Sequence, residues 1–403
     1  MGKEVYTDLS IISSKIFLRI AGAWIAMNSA EEFRRKISLL NVAIVATYSL
    51  SVNTMNIHYF WGNDISYCVY CFCNILCVTL ALSKVTVLRI RRFELADVVA
   101  YAEKHFWHYN YDAQEQLYFA QCQGLCKFLI YFVFIIPVFV LFSYVVTPIL
   151  SNVGLNKSER LLIFEVRSSW PLRETPYYEI LFTWQAIVVF VLFVAYICPD
   201  VFLCVLNIHV ICQFRIVQYK MLHFWNSDVK DTDTVRYSAQ CSVALKKCIQ
   251  QHQSLIEFCE KLEHVFSYTV LFHMVIFSLL MGFDCYEIIL SDASTSRRLL
   301  FVFHVLGSFI HLMIFTYTCH GLMEESTNII TTIYFGSWNT LPMDKIGRSL
   351  RSDVKMIMTR SLKPCRLTAG GFFPVSLETF TGLASSTFSY FTLLRESFMR
   401  NEG

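Results

Sequence analysis

The sequence predicts an all-α membrane protein with seven transmembrane helices. Hydrophobic residues make up 55% of the 403 residues and charged residues only 16%, whereas soluble domains carry about 25% charged residues. A transmembrane helix needs about 20 consecutive, mostly apolar residues. Seven segments meet this requirement: 37–60, 65–88, 127–150, 180–212, 265–290, 299–322 and 372–394. No internal repeat or linker separates them, so residues 1–403 are predicted to form a single domain.

The distribution of Lys and Arg predicts how the chain is oriented in the membrane. The connections on the side of the N-terminus hold 25 of these residues, and those on the opposite side hold 8. Cytoplasmic loops carry the excess of positive charge, so segment 1–36 is predicted to be cytoplasmic and the C-terminus extracellular. This polarity is opposite to that of a G-protein-coupled receptor, and the sequence also lacks an Asp-Arg-Tyr motif after the third segment. The acceptor motif Asn156-Lys157-Ser158 falls in a predicted outer loop, which makes Asn156 a candidate glycosylation site.

Three stretches on the cytoplasmic side predict helices that extend below the membrane. The fourth segment continues with helical periodicity to about Trp225. No Pro or Gly occurs between Ser227 and Met281, so the fifth segment and the residues before it are predicted to form one continuous helix. Residues 343–362 have the pattern of a third amphipathic helix. We therefore predict a packed cytoplasmic base built from 213–264 and 323–370.

The cysteines and histidines do not predict an enzyme or a metal site. Most of the 15 cysteines lie inside apolar segments, which favours small core residues over a disulfide framework. Cys68 and Cys285 both fall near the predicted outer face, and a disulfide between them stays open. His304 and His311 share one helix face, but the sequence places no carboxylate or Cys beside them to complete a metal set. We predict no catalytic residue, no metal, no cofactor and no nucleic-acid partner.

The last apolar segment is unusually polar. Nine Ser and Thr residues occur between 376 and 397. Ser385, Ser389, Thr392 and Glu396 are spaced so that they share one helix face. Polar groups inside a membrane usually face a cavity or water, but Ser and Thr also bond back to their own helix or join helices together. On the residues alone, a water-lined pore and a simple packing role remain equally open.

Three motifs in the C-terminal part of the chain resemble the insect odorant receptor family. They are "KKCIQQHQSLIEFCEKLEHVFS", which contains His252-Gln253, the turn "FGSWNTLP", and the ending "MIMTRSLKPCRLTAGGFFPVSLETFTGLASSTFSYFTLLRES". Family members more often have an acidic residue where Ser337 stands. The related gustatory receptors usually end in a different motif, from which "SYFTLLRES" departs. The chain is identified as a member of the odorant receptor family, with a gustatory-type receptor channel as the alternative.

The resemblance implies a subunit of a ligand-gated, non-selective cation channel. Members form tetramers with a universal co-receptor, Orco, and the last helix, here 372–398, lines the pore. The co-receptor carries a longer loop than 213–264, so this chain resembles the odorant-binding subunit. An apolar constriction gates by dewetting, and its matching positions are Leu393 and Ser397. Leu393 has the apolar side chain that such a constriction needs, whereas Ser397 is smaller than the co-receptor's residue. Glu396 beside them would favour cations.

The resemblance also places the odorant pocket in the outer half of each subunit. A ligand pocket is concave and mostly apolar, with few polar groups, so we expect it among residues of segments two to six. The candidates are Tyr67, Tyr70, Cys71, Asn74, Phe139, Phe142, Ser143, Val146, Tyr178, Phe182, Gln185, Phe283, Tyr286, Phe303 and His304. The nearby charges Asp284, Glu287 and Arg298 would either bind a polar ligand or pair with each other. If they pair, the expected ligand is a small neutral volatile.

The expected location is the plasma membrane of sensory-neuron dendrites, where the chain would contact lipid and permeant cations. A seven-helix transporter or membrane enzyme is the alternative of a different class. A transporter of this size would usually show inverted repeats and a pair of broken helices, and the sequence shows neither.

Overall fold

The computed structural model describes residues 9–26, 28–107, 111–152, 160–167, 170–225, 234–289, 295–341 and 343–401. Asn156, the candidate glycosylation site, lies outside these residues. The described part is almost entirely helical, with one isolated β-bridge between Thr368 and Pro374. Its α-helices are α1 (Leu9–Ile20), α2 (Ser29–Phe60), α3 (Ile65–Ile90), α4 (Arg92–Ala102), α5 (Ala113–Ser151), α6 (Tyr177–His223), α7 (Thr234–Ile289), α8 (Thr295–Phe335), α9 (Lys345–Ser361) and α10 (Leu377–Asn401).

Five helices of the described part are long and apolar enough to cross a membrane. They lie within α2, α3, α6, α7 and α8, and they correspond to the first, second, fourth, fifth and sixth predicted segments. The third and seventh predicted segments fall within α5 and α10. That these two helices also cross the membrane, and that the N-terminus is cytoplasmic, remain predictions.

The last helix begins at Leu377, five residues after the predicted start at 372. Gly370 and Gly371 have φ angles of 61° and 84°, a left-handed conformation that glycine adopts without steric cost. The turn they form packs closely on α7, since a Cβ added to Gly370 would lie 2.8 Å from the side chain of Leu271. The apolar run of the sequence therefore continues through a turn before the helix starts.

The predicted extension of the inner helices is confirmed. The α7 helix runs unbroken for 56 residues, or about 84 Å at 1.5 Å per residue, whereas about 30 Å suffices to cross the hydrocarbon core. The α6 helix continues to His223 and passes through Pro199 without ending. The α9 helix, within the predicted 343–362, packs against α7 and α8. The long helices and the packing of α9 agree with the predicted base, and its place in the cytoplasm remains a prediction.

The core of the molecule is centred on α6. From Val194 to Val217 this helix is buried on nearly every side, because it packs against α1, α2, α3, α5, α7 and α8. A helix that is apolar all round is typical of such a central position. The same position explains why polar groups on α6 have to find partners on several neighbouring helices.

His252 in the base makes the stability of the chain depend on pH. It precedes the predicted transmembrane part of α7 (265–290), and its side chain is buried beside Phe214. Burial, assisted by the charge of Arg360, lowers the pKa of His252 from 6.5 to about 4. Below pH 6.5 the unfolded chain therefore binds a proton that the folded chain does not, so folding weakens as the pH falls.

We expect the free energy of unfolding to drop by up to about 3 kcal/mol between pH 6.5 and pH 4 on account of His252 alone. Thermal melting of the detergent-solubilised chain at several pH values measures this slope. The His252→Gln variant should melt with a visibly shallower dependence on pH. An equal slope in both proteins would show that His252 is not the group responsible.

Candidate ligand cavity and buried charge network

A cavity of about 160 Å³ lies between α2, α3, α5, α6 and α8. Apolar side chains make up most of its wall, and a few polar groups project among them. This combination is characteristic of small-molecule sites. We call it the ligand cavity, and it is lined by Ser49, Asn74, Cys77, Val78, Tyr144, Phe164, Val189, Leu192, Phe193, Tyr196, Ile197, His304, Gly307, Ser308 and His311.

The polar groups of the wall are held in place by hydrogen bonds to one another and to residues behind the wall. The Tyr144 hydroxyl donates a hydrogen bond to Oδ1 of Asn74 at 3.2 Å, and the Asn74 amide donates in turn to Asn53 at 3.4 Å. Nδ1 of His304 lies 2.7 Å from a carboxylate oxygen of Asp284. These contacts fix the positions of the side chains before any ligand enters, which lowers the entropy lost on binding.

A buried charge network lies at one end of the ligand cavity. The carboxylate of Asp200 is 2.5 Å from Nζ of Lys84, 2.9 Å from Nδ1 of His273 and 3.3 Å from Nε2 of His311. Lys84 is fully buried, donates to the backbone carbonyl of Tyr196 at 2.8 Å and lies over its ring. A buried charge of this kind persists only when it is paired. His311 belongs to both the network and the cavity wall.

Two sets of side chains among the described residues have the composition of a metal site. In the first, ligand atoms of Asp200, His273 and His311 lie within 4.8 Å of one another, but Lys84 already neutralises the carboxylate. In the second, Cys122 and Cys126 of α5 meet His209 of α6. Neither set can be recognised from neighbours along the chain, because each combines residues of different helices.

Of the predicted ligand-binding residues, Asn74 and His304 line the ligand cavity. Tyr67 and Tyr70 instead line a second cavity of about 350 Å³, together with Tyr144, Glu165 and Arg173; we call it the tyrosine cavity. The two cavities share Tyr144 in their walls. A binding role for any of these residues remains a prediction.

The other predicted ligand-binding residues lie apart from the ligand cavity. Gln185 is buried, where its amide donates to the Phe164 carbonyl at 2.8 Å and accepts from the Phe164 N–H at 3.0 Å. Phe142 and Phe303 are exposed on the helix surface, and Val146 and Tyr286 are half-buried. The side chains of Phe139 and Ser143 lie outside the described residues. The remaining members are packed in the protein. Cys71 is fully buried, and Tyr178 accepts a hydrogen bond from Asn152. Phe182 packs on the cluster around Val188, and Phe283 contacts Phe72.

The charged residues predicted near the outer face make contacts inside the protein. Asp284 pairs with His304, and Glu287 accepts a hydrogen bond from Ser66 at 2.8 Å. Cys68 and Cys285 do not form the disulfide that the sequence leaves open, and both are thiols. The Cys68 thiol instead points toward the backbone carbonyl of Ile57.

The sequence analysis misses several wall residues, among them Tyr144, Phe193 and Ser308. One signal for them is present, since His304, Ser308 and His311 recur at helical spacing and share one face of α8. The partner of that face is invisible in the sequence, because the opposite wall comes from α6, more than 100 residues earlier.

The polar face predicted for α10 is exposed in the isolated chain. Ser385, Ser389, Thr392 and Glu396 are all exposed. The α10 helix contacts α7 and α8, and Phe380 near its start packs on Phe309. The Thr392 hydroxyl donates to the carbonyl of Ser389 at 2.8 Å, as the packing interpretation expects. The side chains of Leu393 and Ser397 lie outside the described residues, so both roles for this face stay open.

Comparison with known proteins places this architecture in one family. The profile of the 7tm Odorant receptor family matches residues 49–388. The chain is 26% identical to Odorant receptor 10 of Aedes albopictus over 224 residues and 22% identical to Odorant receptor Or2 of Anopheles gambiae over 226 residues. Each match covers 55% of this chain, and the chain spans only 56% and 57% of the two relatives.

The fold is also similar to that of a solved structure. The olfactory receptor OR5 of Machilis hrabei in complex with eugenol superposes with a TM-score of 0.79, at 17% identity, over 96% of this chain and 97% of that one. The OR5 structure described without eugenol gives a TM-score of 0.77 at 16% identity. The family that these matches share consists of receptors, which confirms that the chain is not an enzyme. The chain belongs to the 7tm odorant receptor family of insects.

Proposed function

We propose that the chain is the odorant-binding subunit of a heteromeric ligand-gated cation channel. The ligand cavity carries this proposal, because it is mostly apolar and furnished with a few fixed polar groups. The OR5 structure of similar fold is solved in complex with eugenol, which supports a small-molecule ligand. In this proposal a small volatile binds in the cavity, and binding favours the open state of the channel.

The chemistry of the wall favours a neutral ligand with one hydrogen-bonding group. The charges near the cavity are already paired, since Asp284 contacts His304 and Asp200 contacts Lys84. The side chains of Tyr144, Ser308 and His311 lie in the wall, so they are the polar groups placed to recognise a ligand. Burying each CH2 group contributes about 0.8 kcal/mol, which gives a small volatile an affinity in the micromolar range.

The remainder of the proposal concerns the assembly. The chain would join the co-receptor Orco in a heterotetramer in the plasma membrane of sensory dendrites, with segment 1–36 and the helices of the base in the cytoplasm. The exposed face of α10 (Ser385, Ser389, Thr392 and Glu396) would line the central pore, and Leu393 and Ser397 would form the gate. The exposure of this face in the single chain supports that arrangement.

Voltage clamp of cells that express the chain with and without Orco tests the proposal. Rapid cation currents in response to a volatile, seen only with both subunits and absent with Orco alone, are the expected result. Currents evoked by non-volatile tastants would favour a gustatory-type receptor. Silence with every volatile, together with uptake of a solute, would favour a transporter and contradict the proposal.

Substitution of Glu396 tests the role of α10 in the same cells. A carboxylate at a pore mouth concentrates cations, so the Glu396→Gln variant is expected to reduce the permeability to calcium relative to sodium about two- to fivefold, corresponding to roughly 0.4–1 kcal/mol. Reversal potentials in calcium and sodium solutions measure this ratio. Glu174→Gln, which removes an exposed carboxylate from a different segment, serves as the control. Unchanged permeability in Glu396→Gln would remove this residue from the pore.

A further inference from the structure

The contact between α5 and α6 contains a cluster of thiols and an imidazole that the proposed channel function does not use. Cys122 and Cys126 are one helical turn apart on α5, and His209 and Cys212 are one turn apart on α6. Residues at such spacings lie on the same face of a helix. The two faces meet at Cys122, whose thiol contacts the His209 ring and lies near the thiols of Cys126 and Cys212. The ligand atoms of Cys122, Cys126 and His209 therefore lie close together, and the Cys212 thiol adjoins this set at Cys122.

The contact between Cys122 and His209 has the spacing of two ligands in a tetrahedral metal site. Sγ of Cys122 lies 3.5 Å from Nδ1 of His209. Bond lengths of about 2.3 Å to sulfur and 2.05 Å to nitrogen place these two atoms about 3.6 Å apart around a tetrahedral zinc ion. The ligand atoms of Cys122, Cys126 and His209 all lie within 4.8 Å of one another. A metal ion bound by these three atoms would draw them closer together, and the Cys212 thiol beside Cys122 is the available fourth ligand.

The surroundings of the cluster favour a closed structural site. All four side chains are at most 5% exposed, and none of the thiols forms a disulfide. The rings of Trp107 and Phe119 lie against His209, and Lys220 pairs with Glu115 at 2.6 Å along the same helix contact. Nε2 of His209 has no hydrogen-bond partner in the described structure, so the contact between Nδ1 and Cys122 is the one that orients the ring.

We propose that Cys122, Cys126, His209 and Cys212 bind a thiophilic d¹⁰ metal ion, with Zn²⁺ as the matching ion. A Cys₃His set with tetrahedral geometry is typical of structural zinc, and soft sulfur ligands exclude magnesium and calcium. The ion would cross-link α5 to α6, and its binding would release the thiol protons. This site is separate from the ligand cavity, and its existence does not depend on the channel function.

The chain contains a second buried pair of cysteines, so close packing of thiols is not by itself evidence of a metal site. Cys259 of α7 and Cys365 contact each other through their thiols, but they are not part of any metal-like set found among the described residues. The pair therefore supplies a matched control with the same burial and the same chemistry, but without the imidazole.

The metal content of the purified full-length chain tests the site. We expect elemental mass spectrometry to find about one zinc ion per chain. The Cys122→Ser/Cys126→Ser variant should hold less than about a fifth of this amount of zinc, because it lacks two of the four ligands. The Cys259→Ser/Cys365→Ser control should retain the zinc. Equal zinc in the two double variants, or no metal in the unmodified chain even after incubation with zinc, would overturn the proposal.

A cobalt titration keeps the test independent of how well the variants fold. Co²⁺ added to the metal-free, unmodified chain should give a thiolate-to-cobalt charge-transfer band that zinc displaces. Its intensity should fall by about one third in Cys212→Ser, because two thiolates remain out of three. A titration of the unmodified chain without this band would contradict the proposal, and an unchanged band in Cys212→Ser would remove Cys212 from the set.

Discussion

Replacement of Ser308 by phenylalanine should abolish the odorant response of the assembled channel at ordinary concentrations. Ser308 lines the ligand cavity and is buried, so the ring would occupy space that the ligand needs. If the ring keeps four CH2 groups of the ligand from being buried, the binding free energy falls by about 3 kcal/mol. This loss raises the half-maximal concentration at least about 100-fold. Concentration–response curves in cells that also express the co-receptor measure the shift.

Leu306→Phe is the matched control for this experiment. Leu306 lies on the same helix but is 52% exposed, so the phenylalanine ring would lie outside the cavity. The half-maximal concentration should then change by less than about threefold, which corresponds to less than about 1 kcal/mol of binding free energy. Overpacking a core costs about 1–3 kcal/mol, and surface labelling of Ser308→Phe checks that the variant still reaches the membrane. A normal odorant response in Ser308→Phe would show that the ligand binds elsewhere.

The second large effect is expected at Asp200. The Asp200→Asn variant leaves the ammonium of Lys84 buried without a counter-charge, and removing one partner of a buried ion pair costs about 3–5 kcal/mol. Lys84→Met should cost less, because His273 or His311 beside Asp200 can take up a proton and replace the lost positive charge. The unmodified chain should therefore be the most stable, Lys84→Met less stable, and Asp200→Asn the least stable.

Thermal melting of the solubilised variants measures this order. The double variant Lys84→Met/Asp200→Asn, which buries neither charge, should melt above Asp200→Asn alone, since removal of both members of a buried pair is often nearly neutral. Asp200→Asn melting at the temperature of the unmodified chain would contradict the importance of the network.

The helices could be predicted from the sequence because they depend on signals within each segment. Apolar length gave the five helices able to span a membrane, and the absence of Pro and Gly from 228–280 gave the continuous α7. The start of α10 was placed too early, because the apolar character of "GGFFPV" says nothing about the φ angles of Gly370 and Gly371. Local composition thus predicts helices better than it predicts where they begin.

The candidate sites could be predicted only in part, because they depend on contacts between distant segments. Lys84 and Asp200 are separated by 116 positions, and Cys122 and His209 by 87. No periodicity within one helix shows that such residues meet. The residue types were nevertheless informative, since a Lys inside an apolar segment needs a partner. Asn74 and His304 are predicted for the pocket from their place in the outer halves of segments two and six, and both line the ligand cavity.

A structure of the chain with its co-receptor and its most potent volatile tests the central claim most directly. The claim is that the ligand which opens the channel binds in the ligand cavity between α2, α3, α5, α6 and α8. We predict ligand density between Tyr144, His304 and His311, within hydrogen-bond distance of the His311 ring. Density in the tyrosine cavity beside Tyr67 and Tyr70, with the cavity around His311 unchanged, would contradict this account.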